Sequence, residues 1–272
     1  MRLRHDSEGL SGRKLKRLLH QLCERAQEDV LRISIHEESA THQLRLRVKK
    51  MMALLRLANP GIEKHTLQAM RQHLRAVKNA CAGNREYVVQ SKLIDKLTRR
   101  FHLAPKHRPQ LHGQPLKAPP ASDLHHQLYA VGQLIDSTCI QSLSEEQILE
   151  EHARCYRKGR QLMKQACETK DKRTLHRWRH RVKDLYFQTL VLSHLRGAER
   201  RIRRARRLGH ILGRDQDLCN LASEPAFTVR RSPWLHVINE HRDHLRESYL
   251  ALGHKLYAPP GTRFSGKLLQ GA

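Results

Sequence analysis

Apolar side chains recur every third or fourth position, with few interruptions, over residues 11–101 and again over 123–257. That period commits both stretches to amphipathic helices, because one apolar stripe per turn can be buried against a neighbour. No run keeps the alternation of a half-buried strand, and no strand–turn–strand signal occurs. The predicted fold class is all-α. Helices are expected at about 11–35, 41–58, 62–81, 85–101, 123–140, 144–168, 172–195, 199–221 and 231–257. Asn59-Pro60-Gly61 and Gly83-Asn84 read as breaks, and Ser144 with Gln147 fits a capping box.

Residues 102–122 interrupt the pattern with Pro105, Pro109, Pro115, Pro119 and Pro120 and no acidic residue. Such a stretch cannot be helix or buried strand, so it reads as a linker. The expected organisation is one domain over 1–272. It comprises a first helical repeat at 8–101, the Pro-rich linker at 102–122, a second repeat at 123–258 and a loose tail at 259–272.

Charge narrows the function. The chain carries 52 Lys and Arg against 26 Asp and Glu, a formal net charge of +26, and 20 His besides. Such an excess repels itself in a compact state unless a polyanion compensates it. Nucleic acid, anionic membrane and phosphate polymers are the partner classes left open. The six cysteines are scattered with no C-x-x-C pair, as expected of free thiols in a reducing compartment. The first residues lack the apolar core of a signal peptide, and no stretch is greasy enough to span a bilayer. The expected location is the cytoplasm, away from membranes.

The two halves resemble each other. His42-Gln-Leu-Arg45-Leu-Arg47-Val48-Lys49 aligns with His176-Arg-Trp-Arg179-His-Arg181-Val182-Lys183, with five of eight positions identical. The spacing suggests duplication and a pseudo-twofold architecture. On a helical wheel His42, Arg45, Lys49 and Arg56 share one narrow stripe, with Leu44, Val48, Met51 and Leu55 opposite. His176, Arg179 and Lys183 form the same stripe in the second half. Ordinary solvated faces interleave Glu with Lys, because like charges three or four apart destabilise a helix. An anionic ligand is therefore expected to supply the missing counterions. The stripe from His42 to Arg56 is roughly 21 Å long, which suits an extended anion.

Weaker cationic clusters accompany these stripes. Tyr156-Arg157-Lys158-Gly159-Arg160 precedes the second motif, Arg71, Arg75 and Lys78 share one helix face, and six arginines crowd residues 200–207. A nucleic-acid binder is the main rival reading, but only two Trp, four Phe and six Tyr offer stacking platforms. His176 and His180 have the spacing of metal ligands, yet no Glu lies between them as a zinc hydrolase helix would need. No metal, no cofactor and no enzymatic activity are expected.

These residues resemble the CHAD domain, the conserved histidine α-helical domain. The similarity rests on His42-x-x-Arg45-x-x-x-Lys49, Tyr156-Arg-x-Gly159-Arg160-x-x-Met163 and Leu175-His176-x-Trp178-Arg179-x-Arg181-Val182-Lys183-x-Leu185. Leu212-Gly213-x-x-x-Asp217-Leu218 and Leu252-Gly253-x-x-Leu256-Tyr257 extend it. The resemblance implies two four-helix-bundle-like repeats about a pseudo-twofold axis, with a basic groove or pore at their junction. That groove would bind inorganic polyphosphate and associate the protein with polyphosphate granules. Phosphate or sulfate ions would occupy it in crystals. The Glu-x-Glu-x-Lys signature of the triphosphate-processing domain that often accompanies this family is missing, so a stand-alone binding domain is expected. The candidate contacts are His42, Arg45, Lys49, Arg56, Arg157, Arg160, His176, Arg179 and Lys183. Lys50, Arg75, Lys78, Tyr156, Arg181 and Arg207 are further candidates. A polyanion beside His42 and His176 would favour their charged forms, so tighter binding is expected at mildly acidic pH.

Overall fold

The computed structural model describes residues 9–33, 37–101, 120–169, 171–224 and 233–258. Among these residues the chain is all-helical, with nine α-helices and no strand. They are α1 (Gly12–Leu31), α2 (Glu37–Leu57), α3 (Lys64–Ala80), α4 (Gly83–Phe101), α5 (Ala121–Asp136), α6 (Glu145–Thr169), α7 (Lys172–Val191), α8 (Ala198–Ala222) and α9 (Pro233–Leu256). None is long and apolar enough to cross a membrane. The expected tail and most of the expected linker, residues 102–119, lie outside the described residues.

Local chemistry sets the helix ends. The Ser11 hydroxyl accepts the Lys14 amide at the start of α1. Ser144 and Gln147 form the expected reciprocal box: the Ser144 amide donates to Gln147 Oε1 at 3.0 Å, and the Gln147 amide donates to Ser144 Oγ at 3.3 Å. Asp171 caps α7 by accepting the Thr174 amide. Asn59-Pro60-Gly61 is a single tight turn between α2 and α3. The break expected at Gly83-Asn84 falls instead at Cys81 and Ala82, and Gly83 already opens α4.

Packing does not follow the expected division at the proline-rich segment. α5 packs on α1 and α3 of the first half, where Leu124, Leu128, Val131 and Ile135 enter the main core. α4 packs on α8 of the second half. There Ile94 and Leu97 join Leu218, Leu221, Trp234, Ile238 and Leu245 in a smaller core. Each half thus covers an apolar face supplied by the other.

α2 and α7 meet along the centre of this arrangement. Gln188 on α7 donates to the Ala53 carbonyl on α2 at 3.1 Å, and Arg56 pairs with Asp184 at 2.9 Å. Arg45 and Lys49 share a cleft with His176 and Arg179. Early residues face early residues and late face late, so the two helices run in the same direction.

Candidate anion-binding cleft

The cleft formed where α2 and α7 begin to meet has a volume of about 630 Å³. α2 contributes Arg45 and Lys49, and α7 contributes Lys172, Arg173, His176, Arg177 and Arg179. α4 adds Val89 and Gln90, and α8 adds Gln216, Asp217 and Asn220. Six Lys and Arg side chains therefore line it against one carboxylate, Asp217, among the described residues.

Each wall is held in place. Arg45 donates from one terminal nitrogen to the carbonyls of Lys78 at 2.6 Å and Cys81 at 2.7 Å. It thereby closes the C-terminal end of α3, where unsatisfied carbonyls and the helix dipole both favour a cation. Arg179 lies across Gly213 of α8: a Cβ there would stand 3.2 Å from its Nη2 and 3.4 Å from its Nε. Glycine at that position gives the guanidinium its berth. α8 runs through Gly213 to Ala222, close to the expected span of 199–221.

A polar chain orders the histidines. Gln216 Nε2 donates to Asn220 Oδ1 at 2.9 Å, which turns Gln216 Oε1 toward His176 Nδ1 at 3.3 Å. His176 therefore carries its proton on Nδ1 and accepts at Nε2 from His180 Nε2, 2.8 Å away. Both rings are pushed below the usual histidine value, first by lost hydration and then by neighbouring cations that include Lys78 and Arg179. They are neutral at pH 7.

The sequence-predicted residues divide on this geometry. Arg45, Lys49, His176 and Arg179 come together in the cleft, and Lys78 stands beside it, close enough to act on Arg45 and His176. His42 is exposed one turn earlier on α2, near Glu38, and does not line the cleft. Lys183 packs its stem against Gly209.

The other expected contacts do not line the cleft, and one expectation about them is corrected. Arg56 and Arg181 are not uncompensated, because both reach Oδ2 of Asp184, at 2.9 and 3.2 Å. The wheel shows only intrahelical neighbours, so a counterion on a facing helix was invisible to it. Tyr156 is buried in the core against Tyr257, with ring centroids 5.1 Å apart, and presents nothing to a ligand in the cleft. Arg160 donates to the Tyr257 carbonyl at the end of α9. Arg157 is exposed on α6, and Arg207 is exposed on α8; neither lines the cleft. Lys50 lies on the opposite side of α2, half-buried near Arg25 and Arg47. Arg75 belongs to α3, outside the cleft wall.

The sequence reading missed Lys172, Arg173 and Arg177. One signal could have found the first two. Lys172 and Arg173 occupy the first turn of α7, where the helix dipole disfavours cations. Cations in an unfavourable field call for an external anion.

A family model described as the CHAD domain matches residues 13–224. The motif at Leu252–Tyr257 lies beyond that match. No curated protein matches the chain.

Proposed function

The chain belongs to the CHAD domain family, and on that footing we propose that it binds inorganic polyphosphate through the α2–α7 cleft. The observation that carries the proposal is the convergence of Arg45 and Lys49 from one repeat with His176 and Arg179 from the other in a single basic cleft. Polyphosphate has closely spaced charges and no bases. Arg forks suit its oxygens bidentately, Lys serves as a point charge, and no aromatic platform is needed.

The same contacts support a pseudo-twofold relation between two helical repeats. α2 and α7 carry the duplicated motif and run in the same direction, as an axis parallel to them would require. The repeats exchange partners, with α4 lent to the second and α5 to the first. The protein is read as a binding module without chemistry of its own, acting to place itself on polyphosphate granules.

The test is competition. Labelled long-chain polyphosphate is titrated into the protein and challenged with unlabelled polyphosphate, RNA or DNA at matched phosphate concentration. Polyphosphate should displace the label at far lower concentration than either nucleic acid. Equal displacement by all three would replace this reading with a generic polyanion binder, and absence of binding would end it.

A further inference from the structure

The cleft does not exhaust the cations that line this face. α3 carries Lys78, Arg75 and Arg71 on one stripe, about 10 Å long by helix rise. Lys78 stands near Arg45, His176 and His180 at the cleft. Arg75 follows one turn away, close to both Lys78 and Arg71. Arg71 is half-buried beside Arg56 of α2 and Arg181 and Asp184 of α7. Early residues of α7 therefore face Lys78 and later ones face Arg71, so α3 lies antiparallel to α7 and the two stripes border one path.

At the far end of that path two guanidiniums share one carboxylate, with a third in their neighbourhood. Arg56 and Arg181 both use Asp184 Oδ2, while Arg71 lies close by and makes no ion pair among the described residues. Asp184 offers one negative charge to three positive ones. The remaining donors of the cluster suit a second oxyanion.

Resting on the polyphosphate reading, we propose that the α3 stripe is a lane that leads the polymer out of the cleft to a second anchor at Arg56, Arg71 and Arg181. Asp184 holds that anchor together when no phosphate is present. The ligand class is then a phosphate chain long enough to fill cleft and lane together. A tripolyphosphate fills only the cleft.

The experiment compares sodium tripolyphosphate with long-chain polyphosphate on the full chain and on Arg71→Gln/Arg75→Gln. The comparison is between proteins, because a long chain gains affinity at any site from its many registers. The double variant should lose about tenfold or more for the long chain, the worth of one or two lost charge-assisted contacts, and nothing for tripolyphosphate. Lys96→Ala/Arg99→Ala removes two charges from exposed positions of α4 and controls for net charge. Asp184→Asn removes the competing carboxylate and should tighten long-chain binding. Equal losses for both ligands, or a loss matched by the α4 control, would overturn the lane. If the unaltered protein binds neither ligand, the polyphosphate reading itself has failed.

Discussion

His176 and His180 face each other Nε2 to Nε2 at 2.8 Å, one turn apart on α7. The pair holds one proton between those two nitrogens, and a second there would make one ring a cation and set two N–H donors against each other. With Lys78 and Arg179 near, the free protein keeps both rings neutral at pH 7. A bound polyanion reverses the local field, and one ring takes up a proton. The ligand-bound pKa then exceeds the free one, so affinity rises as pH falls between them. Calorimetry from pH 8 to 6 in buffers of different ionisation enthalpy should show proton uptake on binding. His176→Gln should remove most of it. Binding without proton uptake would take the histidines out of recognition.

Gly213→Ala separates affinity from stability. Alanine in a helix interior is favoured over glycine by about 1 kcal/mol. The new Cβ, however, would press on Arg179 at 3.2 Å. The variant should melt no lower than the parent yet bind polyphosphate several-fold more weakly. Gly213→Leu should displace Arg179 outright and bind more weakly still. Thermal melts and titrations on the same samples check both statements.

Arg45 serves two ends at once, closing α3 and lining the cleft. Arg45→Ala should lower stability by roughly 1.5–3 kcal/mol, the range for hydrogen bonds to a charged donor, and weaken binding as well. Arg45→Lys keeps the charge without the planar fork and should recover affinity better than stability. Urea denaturation beside titration distinguishes them from Lys49→Ala, whose main effect should be on affinity.

His152 predicts how the fold meets acid. It is fully buried, bonded through Nδ1 to Gln188 Oε1 at 3.2 Å, and burial pushes its pKa down to about 3. The unfolded chain binds this proton near pH 6.5, and the folded chain does not until about pH 3. The contribution is intact above pH 6.5 and shrinks as pH falls toward 3, by at most about 1.4 kcal/mol per pH unit. Urea unfolding from pH 7 to 5 should show this slope, reduced in His152→Asn. An unchanged slope would exclude His152 as its source.

The helices were legible because their period is a local property. The Ser144–Gln147 box and the core positions Leu44, Val48, Trp178 and Val182 follow from spacing alone. Half of the cleft was legible for the same reason, since Arg45, Lys49, His176 and Arg179 lie on stripes that must face one way. The fate of individual cations was not. Arg56 finds Asp184, Arg160 finds the Tyr257 carbonyl, and Arg204 finds the Lys255 carbonyl, each on another helix. Arginine closes helix ends as readily as it binds anions, and a sequence does not say which carbonyl lies opposite. The placement of α5 on α1 and α3 is likewise a tertiary choice that chain order obscures.

That exchange of α4 and α5 between the halves makes them interdependent. A fragment ending at Phe101 lacks the cover that Leu128 and Val131 give to α1 and α3, while one starting at Pro120 lacks Ile94 and Leu97 over Trp234. Each piece would expose an apolar face that the other covers, so mixed together the two should reassemble, and the order of helices along the chain differs from their order in the packing.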